Sequence, residues 1–358
     1  MAIPASSKSS CPSAETLWGA IVLMVAYGVV PFVGSDYLLD AVLTPFLALA
    51  LAAVGLNVLT GYTGQVSLGS AAFLAVGAYA AYNLHLRIPS LPLLIDLVLA
   101  GGIAAAVGIL FGLPSLRLRG FYLAVSTLTA QFFVQWALTK FGWFSNDNPS
   151  GVIDAPVLTI AGISFTNAAE RYVFSLTIVV ISTLLTLRLL RSQSGRNFIA
   201  VRDHEVAAKV IGVPLLRTKL LAFGISSFLI GVAGVLWAFA YLRTVEPAGF
   251  NLDRSFQILF IIIIIGGLGS LRGSFIGAAF IVVFPLLLSR VGAALLGSVF
   301  DSGILEMSQR IVIGALIIGF LIAEPRGLIA LWDRTWSTLW SARRTAAPTC
   351  SLTQRSLQ

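Results

Sequence analysis

The sequence predicts an all-α protein that crosses a membrane many times. Three observations predict it. Hydrophobic residues make up 58% of the 358 and charged residues 11%, with a mean hydropathy of +0.94; a water-soluble domain carries about 25% charged residues. Apolar runs recur along the whole chain at lengths near the roughly 20 residues a helix needs to span hydrocarbon. The third observation is where the cations fall. The longest polar interruption, Arg188 to Lys219, carries Arg188, Arg191, Arg196, Arg202, Lys209, Arg217 and Lys219 against Asp203 and Glu205. Short loops this basic resist translocation, so this loop is expected in the cytoplasm and orients every other segment. The net charge of +8 is explained by such loops rather than by nucleic-acid binding. Cys11 and Cys350, one in each tail, indicate neither a disulfide framework nor a metal site. The N-terminus lacks a strongly basic start and an obvious cleavage site, so the first apolar segment is read as retained.

The elements follow in order. Residues 1–16 read as a cytoplasmic tail, 17–331 as the membrane domain and 332–358 as a second cytoplasmic tail. Leu17–Val33 is a first span and Ser35–Asp40 a short acidic loop. Ala41–Thr60 is a second span, running into GYTGQVSLGS at 61–70 before the apolar pattern resumes over Ala71–Leu84. Leu91–Leu113 follows, with Asp96 near its outer end, where an interfacial structural role is expected. Residues 115–120 make a basic turn. Phe121–Phe144 leads to a long polar outer segment at 145–171, and Tyr172–Leu190 returns to the basic loop. Leu220–Tyr241, an outer loop at 243–255, Phe256–Gly267, a Gly-punctuated interruption and Phe275–Ser289 come next. Val291–Met307 reads as an external connection and Ile311–Ala323 as the last span. Trp332, Trp336 and Trp340 beyond it suit a membrane interface. Counting from the basic loop gives about ten spans with both termini inside, and most of the 23 lysines and arginines then fall inside.

Two motifs interrupt this pattern. In GLNVLTGYTGQVSLGSAAFLAVGAY, residues 55–79, glycines including Gly61, Gly64 and Gly69 break an apolar run that also carries Asn57, Tyr62, Gln65 and Ser67. IGGLGSLRGSFIGAA, residues 265–279, holds Gly266, Gly267 and Gly269. Irregular backbone at membrane depth survives only when buried in protein or lining a wet cavity. Paired Gly interruptions in the two halves of a chain point to a translocation pathway. Close helix packing through small residues is the alternative, and the two are compatible.

Inside the basic loop, 191–219, Asp203 can cap a short helix over Glu205–Ile211, and Gly212 followed by Pro214 stops it. Ala207, Ala208 and Ile211 give that helix a small apolar face, and Arg202, Glu205 and Lys209 can rim it with charge. Such a helix suits a groove on another protein; a connector lying on lipid headgroups has the same pattern. No GxxxxGK[ST] is present. No catalytic cluster is suggested, and neither His85 nor His204 has a ligand cluster beside it in sequence, so no metal or enzyme site is expected.

Three stretches together, 55–79, GRNFIAVRDHEVAAKVIGVPLLRTKLLAF at 195–223 and IIGGLGSLRGSFIGA at 264–278, resemble the branched-chain amino acid permease family of ATP-binding-cassette importers, the LivM-type subunit. RGFYLAVSTL at 119–128 and AEPRGL at 323–328 add to the likeness, which covers roughly residues 17–331. The resemblance implies a bacterial inner-membrane subunit that pairs with a homologous permease. It implies two cytoplasmic P-loop ATPases that use the ATP, no cofactor held by this chain, and an extracytoplasmic amino-acid-binding protein. It makes the loop around Glu205, Ala207, Ala208 and Gly212 the ATPase-coupling element. The chain departs from the family at SNDNPSGV, residues 145–152, where a Gly-rich acidic run is common. Permeases for urea or short amides share much of the pattern, although TGQVSLGSAAF is closer to the amino acid branch. An ion-coupled carrier would instead carry buried ionisable residues along its path, and only Asp96 approaches this.

Overall fold

The computed structural model describes residues 14–89, 91–115, 121–156, 159–160, 163–165, 167–261 and 267–296, with 307, 311–312 and 314–315. Gly266, most of the expected last span and the three tail tryptophans lie outside the described residues. Helices α1 (Ala14–Gly28) and α2 (Val30–Val33) share the expected first span. They part at Val29, where Pro31 has no N–H to continue the ladder. A π-helical turn, Leu38–Leu43, runs directly into α3 (Thr44–Thr63). The expected acidic loop therefore ends earlier, and the second span begins at Leu38. Then follow α4 (Ser70–Arg87), α5 (Leu93–Ser115) and α6 (Phe121–Lys140). The polar segment after α6 holds strands β1 (Ile153–Asp154), β2 (Thr159–Ile160) and β3 (Ile163–Ser164).

Helix α7 (Ala168–Arg191) starts four residues before the expected span. Glu170 is the reason: its carboxylate accepts from the Asn167 backbone N–H at 3.3 Å, which fixes the first turn. The basic loop folds into α8 (Gln193–Asp203) and α9 (Glu205–Val210), where one short helix was expected. Helix α10 (Leu215–Val235) continues as a π-helical turn to Leu242. Strand β4 (Thr244–Val245) pairs antiparallel with β1, and α11 (Leu252–Phe260) and α12 (Leu271–Leu296) complete the described chain. The expected connection from Val291 is thus helical as far as Leu296.

Among the described residues the regular structure is helical apart from these two-residue strands, and five helices are long and apolar enough to cross a membrane: Leu38–Thr63, Leu93–Leu113, Ala168–Arg191, Leu215–Leu242 and Leu271–Arg290. Helices α3 and α10 form the centre and are buried over most of their length. Small residues bring α10 against α4. A Cβ at Gly77 would overlap the Gly231 carbonyl, and one at Gly234 would overlap the Leu74 carbonyl. Between helices in lipid, this close backbone approach replaces the hydrophobic drive. The packing reading therefore holds for Gly77.

Asp96 sits at the end of α5, where the sequence places it. It is fully buried in the first turn of α5, with Oδ2 3.4 Å from His85 Nδ1 on α4. His85 lies 15 residues along α4 from Ser70, about 22 Å at 1.5 Å per residue, so the pair is remote from the helix interruptions.

Candidate functional site

The two Gly-rich interruptions and the basic loop meet in one place. Helix α3 ends where Gly64 takes φ +71, a left-handed conformation that side chains disfavour. Residues 64–69 are not helical, and α4 begins at Ser70. The second interruption turns through Gly267 (φ +71) and Gly269 (φ +82) before α12.

Asn57, fully buried on α3, joins them. Its Nδ2 donates to the Ser270 carbonyl at 2.8 Å and to Ser274 Oγ at 3.1 Å, and its Oδ1 accepts from the Gly269 N–H at 3.0 Å. One amide thereby satisfies three groups of the second interruption. Gly61 sits one turn on from Asn57, and any Cβ there would overlap Asn57 Oδ1 and lie 2.5 Å from Gly269 N.

Arg202, at the end of α8, closes the site from the loop side. Its Nη1 donates to the Gly61 carbonyl at 3.0 Å. That carbonyl belongs to the last turn of α3, which has no helical donor of its own, and a cation is favoured at a helix C-terminus. A Cβ on Gly64 would lie 3.3 Å from Arg202 Cγ, and one on Gly269 3.3 Å from Arg202 Nη1. Asp203 accepts from Arg202 Nε and lies 2.9 Å from its Nη2, holding the guanidinium in place.

The remaining pathway candidates line the 64–69 segment. Tyr62 is half-buried, and Gln65 is buried with Nε2 donating to Thr63 Oγ1 at 2.9 Å. Ser67 is buried, with the Gly69 N–H 3.4 Å from its Oγ, and a Cβ on Gly69 would lie 2.6 Å from the Thr127 carbonyl. The sequence reading missed the residues that hold this segment. Thr127 Oγ1 accepts from the Leu68 N–H at 2.9 Å, and Ser255 Oγ accepts from Ala71 N–H at 2.8 Å. Ser255 Oγ also donates to Gln131 Oε1 at 3.2 Å. A signal was present: Thr127 and Gln131 are polar residues spaced i, i+4 on an apolar helix, hence on one face. Ser270 and Ser274 repeat that spacing.

In the loop, three expectations are corrected. Asp203 does not cap α9: it ends α8 and pairs with Arg202, and His204 occupies the cap position without a side-chain bond. Ala208 is 2% exposed, so it packs inward and is not on the open face. That face carries Ala207 and Ile211 with Val206 and Val210, the last 81% exposed. The charged rim is also dispersed, because Glu205 accepts from Lys219 of α10 at 2.8 Å and Arg202 turns to Gly61, leaving Lys209 exposed. Gly212 takes φ +87, as a helix stop requires.

The class of protein is a membrane permease, which the likeness to known proteins shows for this multi-pass helical chain. The chain belongs to the family of permease components of branched-chain amino acid transport systems, whose family profile it matches over residues 38–321. It is 31% identical to the high-affinity branched-chain amino acid transport system permease protein LivM of Escherichia coli strain K12, over 92% of this chain and 78% of that protein. A probable LivM of Methanocaldococcus jannaschii is 24% identical, over 82% of this chain and 93% of its own length. An autoinducer 2 import permease, LsrC of Enterobacter sp. strain 638, matches over 26% of this chain at 38% identity. No solved structure matches.

Proposed function

We propose that this chain is the permease subunit of an ATP-binding-cassette importer that carries branched-chain amino acids across a bacterial inner membrane. The observation that carries the reading is Arg202. One side chain of the basic loop touches Gly61 in the first interruption and lies against Gly269 in the second. Movement of that loop is therefore felt at both broken segments. The partners are a homologous permease, two cytoplasmic P-loop ATPases that bind and hydrolyse the ATP, and an extracytoplasmic binding protein. The extent of the likeness to LivM-type permeases supports this assembly. The chain makes about ten spans with both termini inside, and residues 64–69 and 267–270 line the route as irregular backbone shielded by protein. Helix α9 enters an ATPase groove by its exposed Val206, Ala207, Val210 and Ile211.

The test is ATP-driven uptake of labelled L-leucine by vesicles holding the reconstituted importer. Arg202→Ala is expected to leave assembly with the ATPases intact and to retain hydrolysis while losing most uptake. Equal uptake by the variant and the parent would remove Arg202 from coupling. No ATP-dependent leucine uptake by the parent would sink the functional reading itself.

A further inference from the structure

A second site lies away from the junction, where the 243–250 segment folds against β1. A pocket of about 260 Å³ opens there, walled by Val152, Trp237, Leu242, Val245 and Phe250, with Glu246 at its edge. Among the described residues lining it, Glu246 alone is charged. An apolar cavity of about 150 Å³ already admits benzene, so this one has room for a branched aliphatic side chain and the α-carbon that carries it. Val245 and Phe250 are buried and set, because β4 pairs with β1 and the Phe250 ring packs edge-on to Tyr79 at 6.4 Å. Tyr79 in turn donates to the Gly151 carbonyl at 2.7 Å, fixing the approach to Val152.

The pocket also communicates with the first interruption. Gln131 Nε2 donates to the Phe250 carbonyl at 2.6 Å, and Gln131 Oε1 accepts from Ser255 Oγ. Ser255 Oγ accepts from the Ala71 N–H at the start of α4. Three side-chain bonds thus connect the pocket wall to the helix end that follows residues 64–69.

We infer that this pocket is an entry site for an aliphatic amino acid, taking its side chain between Trp237 and Phe250 and its α-ammonium at Glu246. The inference rests on the transport reading above and names the residues of this chain that meet substrate first. The pocket contributes an apolar wall and an anion, which match the side chain and the ammonium; the substrate carboxylate is left toward solvent. A ligand lacking the ammonium loses the charged contact, and one lacking the carboxylate keeps it.

The test uses Thr244→Cys, at the rim, in a protein without Cys11 and Cys350, assembled with its partners in vesicles. The rate of labelling by an impermeant maleimide is read alongside leucine uptake. L-leucine and isoamylamine, which has the ammonium and no carboxylate, are expected to slow labelling, while isocaproate, which has no ammonium, leaves it unchanged. Glu246→Gln is expected to raise about fivefold both the leucine concentration that protects and the KM for uptake, with kcat unchanged, the size of an exposed charge pair of about 1 kcal/mol. Glu246 is exposed, so its replacement leaves the fold intact. Intact uptake with no protection by leucine overturns the site and leaves the transport reading standing. Equal protection by isocaproate overturns the role of Glu246. Protection by ligand-free binding protein alone marks the pocket as a protein-docking surface and overturns the inference. Failure of the parent to take up leucine overturns both readings.

Discussion

Asn57 is the residue on which the two interruptions depend. Its amide is fully buried and bonded to Gly269, Ser270 and Ser274. Asn57→Ala removes those bonds and leaves the Gly269 N–H without its Asn57 partner. A buried group left without a partner costs about 1–3 kcal/mol. The variant is expected to lose thermal stability in detergent by a corresponding amount and to lose uptake with it. Unchanged melting and unchanged uptake would mean that the two segments hold together without this amide. The residue scale also corrects how polar groups in apolar helices are read. Thr127 and Gln131 are two of several polar residues along α6, and they hold the 64–69 segment and the Phe250 carbonyl.

At the scale of elements, α9 shows how a short amphipathic helix can be misread by one residue. Its alanines are adjacent, so they point about 100° apart (3.6 residues per turn). Ala208 faces the chain's own helices and Ala207 faces out. Ala208→Trp overfills an internal contact, where overpacking costs about 1–3 kcal/mol. Its expected effect is a lower yield of folded permease. Val210→Asp is expected to keep that yield and to lose ATPase co-purification, because it places a charge on the exposed face that is proposed to dock. The reverse pattern, with Val210→Asp binding the ATPases normally, would leave α9 as a connector on the lipid surface. Helix α8 was hidden in the sequence because its charged residues resemble a plain polar loop. Its buried Gly195, Phe198 and Val201 fall at spacings of three, the face that packs inward.

At the scale of the whole molecule, the two segments expected outside are joined to each other: β1 of the 145–171 segment pairs with β4 of the 243–255 loop. The basic loop instead meets Gly61 and Gly269. Single cysteines at Ser192 and Ser150, in a protein lacking Cys11 and Cys350, are expected to react differently with an impermeant thiol reagent on intact cells. Position 150 is labelled and position 192 is protected until the cells are opened. Labelling of 192 alone would invert the topology. The membrane class, the positions of both interruptions and the presence of a basic loop were legible in the sequence. Element ends were less so, since Leu38, Ala168 and Leu215 begin helices where polar or basic neighbours suggested loop.

The sequence by itself determined what depends on near neighbours. Long apolar runs make spans, a left-handed backbone calls for glycine at positions such as Gly64 and Gly212, and clustered cations choose a side. The tertiary structure alone decided which distant groups meet. Arg202 reaches Gly61 across 141 residues of chain, and Asn57 reaches Ser270 across 213. It also decided that Ala208 turns inward and that Asp96 lies beside His85. The physical reason is that these contacts are set by how whole helices cross. Crossing is governed by small-residue surfaces on helices that are largely surrounded by others, so the local pattern does not say which face meets which partner.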